Sequence, residues 1–155
     1  MCHPLLAWKC ITGASQICYT LGYNRETALI PETAEKKRRR SRMFWLVLMV
    51  EKSLSLILGR PSTIRDTDVT ISRPTVEEAV TPNLHIMPAM DKWIDYAFLT
   101  SRVYDELFSP GALCQPDSFR LGRARALATE LQSVFDSTHP TEVRSGWLLR
   151  PNILC

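Results

Sequence analysis

The 155-residue sequence has no run of about 20 apolar residues, the length a membrane span requires. Its longest apolar stretch, Met43–Val50, holds eight residues between Arg42 and Glu51. The six glycines, at 13, 22, 59, 111, 122 and 146, are too scattered to cradle a phosphate. Five cysteines (2, 10, 18, 114 and 155) form no C-x-x-C pair. Their odd number and wide spacing argue against a disulfide framework and a structural zinc site, so mostly buried, reduced thiols are expected. His3, His85 and His139 have no partner one helical turn away, and there is neither H-E-x-x-H nor G-x-S-x-G. The carboxylate pairs Asp66/Asp68, Glu77/Glu78 and Asp105/Glu106 are what any chain with 16 acids contains, and Asp66 and Asp68, in a proline-bounded loop, read as solvated turn residues. No catalytic constellation emerges, and the expectation is a protein that is not an enzyme. No secretory signal is visible either, because Lys9 interrupts the apolar start Pro4–Trp8.

The remaining composition is globular in character, with 45% hydrophobic and 23% charged residues. Folding a chain of this length removes roughly 70% of its surface from water, enough for one core. Periodicity predicts helices and no strands, hence an all-α fold. A first helix runs from about Leu5 to Leu21, with Gly22 as a left-handed stop. A second, central and apolar, covers about 32–58. Glu32 and Glu35 lie in its first turn, Gly59 stops it and Pro61 blocks continuation. Residues 59–89 carry Pro61, Pro74, Pro82 and Pro88 and read as a loop with one short turn at Val76–Val80. A third helix is expected from Pro88 to Phe108, with Ile94, Ala97, Phe98, Tyr104 and Phe108 on one stripe. A fourth starts at a cap on Asp117 or Ser118 and buries Ala124, Leu127, Ala128, Leu131, Val134 and Phe135. Residues 1–136 form the domain and 137–155, with the apolar patch Trp147-Leu148-Leu149, a poorly defined tail.

The net charge of +3 is unevenly spread. Residues 1–62 hold 10 Lys/Arg against 4 Asp/Glu, whereas 63–155 hold 9 against 12. The excess lies in Lys36, Lys37, Arg38, Arg39, Arg40 and Arg42. Glu32 and Glu35 precede Lys36 and Arg39 at i, i+4 spacing, which suits a solvated helix with internal ion pairs. A nuclear-import signal is the second reading of this run. Direct DNA contact ranks last, since one short run neutralises only a few phosphates.

Phe44–Pro61, FWLVLMVEKSLSLILGRP, places Glu51 and Lys52 inside an apolar helix. A charge buried alone costs several kcal/mol, so each must find a partner. Arg60, just past the helix end, is placed to meet carbonyl oxygens and a carboxylate such as Glu51 or Asp66. The expectation is a polar clasp at the end of a core helix.

The string RRRSRMFWLVLMVEKSLSLILGRPSTIRDTDVTISRP resembles the signature of the fungal-specific transcription factor domain, the middle homology region of fungal zinc-cluster regulators, also called the xylanolytic activator regulatory domain. The shared elements are Met43-Phe44-Trp45, Glu51-Lys52, Ser53-Leu54-Ser55-Leu56, Gly59-Arg60-Pro61, then Ile64, Asp66, Asp68, Val69 and Pro74. Glu51 departs from the aspartate more usual there. Leu21–Glu26 looks like the family's upstream turn, and Ser101–Pro110 its downstream helix. The resemblance implies an irregular helical domain with a structural clasp of Glu51, Lys52, Gly59, Arg60, Pro61, Asp66 and Asp68. It further implies a nuclear, non-catalytic regulator acting through protein partners or other regions of a longer parent. The alternative is a free-standing helical interaction module. The family's zinc cluster, two C-x2-C-x6-C halves, does not occur in this sequence, so no cofactor is expected and sequence-specific DNA reading is not carried over. The chain reads as a fragment of a larger helical domain or a truncated gene model, with exposed apolar faces that lower solubility.

Overall fold

The computed structural model describes residues 3–26, 31–74 and 90–136. Helix α1, Pro4–Thr20, opens with proline at its first position, where the missing N–H costs nothing. It closes on Gly22, whose φ of 69° lets the Tyr23 amide donate back to the Cys18 carbonyl at 2.8 Å. Helix α2, Ala34–Ile57, ends the same way: Gly59 has φ 63° and the Arg60 amide donates to the Ser55 carbonyl at 2.8 Å. Its start is set by Thr33, whose hydroxyl accepts the Lys36 amide. Glu32 therefore precedes the helix instead of sitting in its first turn, and only Glu35 is there.

Helix α3, Met90–Val103, passes without a break into a π turn at Tyr104–Phe108. Ser109 then caps the short α4, Pro110–Leu113, by accepting the Ala112 amide at 3.2 Å. Helix α5 spans Asp117–Asp136. No strand occurs among the described residues, as expected of an all-α fold. No helix there is long and apolar enough to cross a membrane.

Helix α2 lies between α1 and α3, and α5 packs on the outer side of α3 and its π turn. The core joins Phe44, Trp45 and Leu48 of α2 to Cys18 of α1, Ile64 and Ile71 of the connecting loop, and Met90, Ile94 and Ala97 of α3. Trp45 makes edge contacts with Phe44 and Phe98, and its indole N–H donates to the Ser72 carbonyl at 3.1 Å. Burying such rings dominates the apolar contribution to stability.

Several expectations need revision. The C-terminal half of α2 is not buried all round: Val50 and Ile57 face water, while Glu51, Lys52 and Ser55 face the core. Of the stripe expected for the third helix, Ile94 and Ala97 of α3 are buried but Phe108, in the π turn, is 53% exposed. The π turn, closed by the Ser109 amide on the Tyr104 carbonyl, adds a residue to the turn and rotates the succeeding side chains off the stripe. Helix α5 already includes Asp117, so neither Asp117 nor Ser118 precedes it as a cap. Of its apolar stripe, Leu127 is buried and Leu131 and Val134 half-buried, whereas Ala128 and Phe135 are exposed. Among the described cysteines only Cys18 is buried; Cys10 and Cys114 are exposed. The turn expected at Val76–Val80 and the tail 137–155 lie outside the described residues.

No atom lies within 4 Å of a methyl group added at Gly59, so its backbone angle is the one constraint there. Gly59→Ala should lower stability by about 1–2 kcal/mol through left-handed strain. Urea denaturation of both proteins checks this, with Gly59→Asn expected to cost less.

Candidate functional site

Past Gly59 the chain turns back along α2 and brings polar atoms to the helix's two buried charges. Glu51 and Lys52 have 0% and 1% of their surface exposed. Glu51 Oε1 accepts the Ser55 hydroxyl at 3.0 Å, the Thr63 amide at 2.8 Å and the Thr63 hydroxyl at 3.0 Å. Its Oε2 accepts the Ser62 hydroxyl at 2.6 Å. Four donors thus replace the water a carboxylate would hold, which makes its burial tolerable. Ser55 in turn accepts the Trp8 indole N–H at 3.1 Å, so the network reaches α1.

Lys52 works toward the other neighbour. Its Nζ donates to Asp66 Oδ1 at 2.6 Å, the Ile64 carbonyl at 3.1 Å and the Ser101 hydroxyl of α3 at 3.0 Å. The ammonium also stands 5.6 Å from the Phe98 ring centroid, within cation–π range. Asp105, in the π turn, has its carboxyl pushed up by burial and by the Asp66 carboxylate, an effect the Lys52 charge opposes. Two adjacent residues of α2 therefore bind the loop and the helices on either side.

Arg60 departs from its expected role. Its guanidinium lies 4.6 Å from the Trp8 ring centroid, and neither Glu51 nor Asp66 is bonded to it. The loop residues reach Glu51 first, and the end of α2 carries Arg60 to the surface of α1 instead. Pro61 is exposed; Asp68 closes a 3-10 turn, Asp66–Asp68, and its backbone carbonyl accepts the Asn24 side-chain Nδ2–H at 2.7 Å. Asn24, which sequence reading does not single out, also accepts the Thr70 and Ile71 amides on its own carbonyl. Ser62, Thr63 and Ser101 escape it likewise, as does the buried Ser15 of α1, whose hydroxyl lies 3.2 Å from that of Thr63, because an isolated hydroxyl carries no sequence signal.

The basic run divides by face. Arg40 is 5% exposed and donates to Glu32 Oε1 at 2.6 and 2.9 Å and to the Arg25 carbonyl at 2.7 Å. Lys37 pairs with Glu26, and Glu35 with Arg38 at 2.9 Å and Arg42 at 3.9 Å. The expected pairs Glu32–Lys36 and Glu35–Arg39 do not form, because Glu32 precedes the helix and folds onto Arg40. Lys36 and Arg39 are exposed. Hydrogen bonds from Lys37 and from Ser72 hold the Glu26 carboxyl down at about 2.

An open cleft of about 520 Å³ between the π turn, α4 and α5 is lined by Asp105, Glu106, Phe119 and Arg123, with Glu106 ion-paired to Arg123. No group of three or more metal-binding side chains occurs among the described residues. Cys10, Cys18 and Cys114 differ in exposure and position and do not fit a zinc cluster.

Two consequences are measurable. Glu51→Ala strands four donors, from the buried Ser55 and the half-buried Ser62 and Thr63, and should cost about 3–5 kcal/mol. Asp66→Asn keeps an acceptor but removes the carboxylate paired with the buried Lys52 ammonium, and should cost about 1–3 kcal/mol, whereas Arg60→Ala should cost about 1 kcal/mol or less; thermal melts rank the three. The depressed Glu26 carboxyl contributes stability that is complete above pH 4.5 and lost as pH falls toward about 2. Glu26→Gln should flatten the acid limb of a stability–pH curve over that interval.

The family described as Fungal specific transcription factor domain matches residues 1–136. The chain is 24% identical over 144 residues to an ABC-transporter-regulating transcription factor of Aspergillus oryzae, an alignment covering 87% of this chain and 16% of that protein. It is 23% identical over 144 residues to a protein of the same description from Aspergillus fumigatus, with the same coverage. The chain thus spans about 16% of the length of the curated relatives it matches. No solved structure matches it.

Proposed function

The chain belongs to the fungal-specific transcription factor domain family and is a transcription-regulator region, and on that premise we propose that it acts in the nucleus as a non-catalytic scaffold controlling transcription through protein contacts. One observation supports this most: the motif's charged groups are consumed in holding helices together. Glu51 and Lys52 are out of reach of any substrate, and each is matched by donors or acceptors from a different part of the chain. Groups so engaged position helices; they do not turn over a ligand. Direct reading of DNA is not part of this proposal, because much of the basic run is spent on Glu26, Glu32 and Glu35. Nuclear entry falls to its exposed members, Lys36 and Arg39, with Lys37 and Arg42 beside them. The chain needs no metal or cofactor of its own in this reading.

The test joins the whole chain to a heterologous DNA-binding module upstream of a reporter gene. Transporter promoters are worth including, given how the Aspergillus relatives are named. Reporter output should change several-fold relative to the module alone, and Glu51→Ala should abolish the change. A fluorescent fusion should be nuclear, with Lys36→Gln/Arg39→Gln spreading it to the cytoplasm. Output equal to the module alone would reject the regulatory reading.

A further inference from the structure

The open cleft between the π turn, α4 and α5 holds about 520 Å³, within the range of small-molecule sites. One wall is the π turn, a helical irregularity that recurs at functional sites, and it contributes both carboxylates that line the cleft, Asp105 and Glu106. Glu106 is engaged: it pairs with Arg123 and, at 3.1 Å, with Arg102. Arg102 also binds Glu130 at 2.5 Å, so these arginines and glutamates form a neutral network. Asp105 has no ion-pair partner among the described residues. The Lys52 ammonium attracts it, but that ammonium is bound to Asp66 at 2.6 Å, and Asp66 repels Asp105. Burial and this repulsion push the Asp105 carboxyl up, as expected of a carboxylate partly desolvated and short of a counter-charge.

The charge left over selects the occupant. An anion would have to displace Glu106 from Arg123 and would then face Asp105. A metal ion takes several oxygen ligands, and one free carboxylate does not supply them. An ammonium group needs only one. Phe119 lines the same cleft and is 54% exposed, which offers a ring to an apolar body. The Ser109 hydroxyl is already used, donating to the Asp105 carbonyl at 2.6 Å and accepting the Ala112 amide. We propose that the cleft is a binding site for a small organic cation, a protonated amine whose ammonium pairs with Asp105 and whose apolar body lies against Phe119. A cation held there offsets the repulsion between Asp105 and Asp66, and so bears on the clasp through which Lys52 joins the loop to α3. The site adds a chemical input to the chain and does not rest on how the chain acts on transcription.

The probes are phenethylamine, phenethyl alcohol and hydrocinnamate, which share a ring and differ in charge, with capped lysine as an ammonium lacking the ring. Each is titrated against the whole chain by NMR, reading the amide resonances of the π turn and of Phe119. Phenethylamine should shift these saturably, with the alcohol about tenfold weaker and hydrocinnamate weaker still. Its affinity should fall as salt rises. Asp105→Asn keeps the shape and removes the charge, and should weaken the amine about tenfold and erase its advantage over the alcohol. Phe119→Ala should weaken amine and alcohol alike. Both positions are exposed, so both variants should melt close to the unmodified chain. Capped lysine should bind about tenfold more weakly than phenethylamine; equal binding would give the cleft to a protein side chain and overturn the small-molecule site. Absence of a saturable shift, equal binding of all three charge types, or amine binding indifferent to Asp105→Asn overturns the proposal as well.

Discussion

A carboxylate without access to water governs this fold. Glu51 sits in the C-terminal half of the longest described helix, and its negative charge is acceptable there only while four N–H and O–H donors surround it. Three of those donors come from Ser62 and Thr63, so the chain after Gly59 is obliged to return along α2 at that level. The return delivers Ile64 to the core and Asp66 to Lys52. Gly59 makes the reversal sterically permissible, and the buried charge makes it compulsory. Polar groups in the core thus specify the path of a loop that hydrophobic burial alone would leave loosely defined.

The opposite end of α2 repeats the arrangement with the sign reversed. There the buried charge is the guanidinium of Arg40, and the segment drawn onto it includes Glu32 and the carbonyl of Arg25. A cluster of basic residues that suggests a free cationic patch is thereby divided by helix geometry. One member is a structural staple, others are matched by nearby acids, and Lys36 and Arg39 project into solvent. The helix carries buried, matched charges on one face and solvated ones on the other.

Much of the architecture is legible without coordinates. Gly22 and Gly59 announce the ends of α1 and α2, since a residue without Cβ best tolerates the left-handed angle that closes a helix. Apolar spacing identifies Leu127 of α5 and Ile94 of α3. Elsewhere periodicity misleads. The π turn displaces Phe108, and among the described residues Phe135 of α5 remains exposed. Sequence proximity assigns Arg60 the partner that belongs to Lys52, because nearness to a helix end says nothing about which way the next stretch of chain turns.

Local stereochemistry belongs to the sequence: where helices begin and end, which stretches are apolar, and that two charges inside an apolar segment must be neutralised somewhere. These depend on backbone angles and solvation, which involve few residues at a time. Who neutralises them was settled in three dimensions, where Lys52 meets Ser101 from 49 residues away and Ser55 meets Trp8 from 47. Hydrogen bonds act over about 3 Å, and only the packed arrangement of α1, α2, α3 and the returning loop brings such distant groups that close.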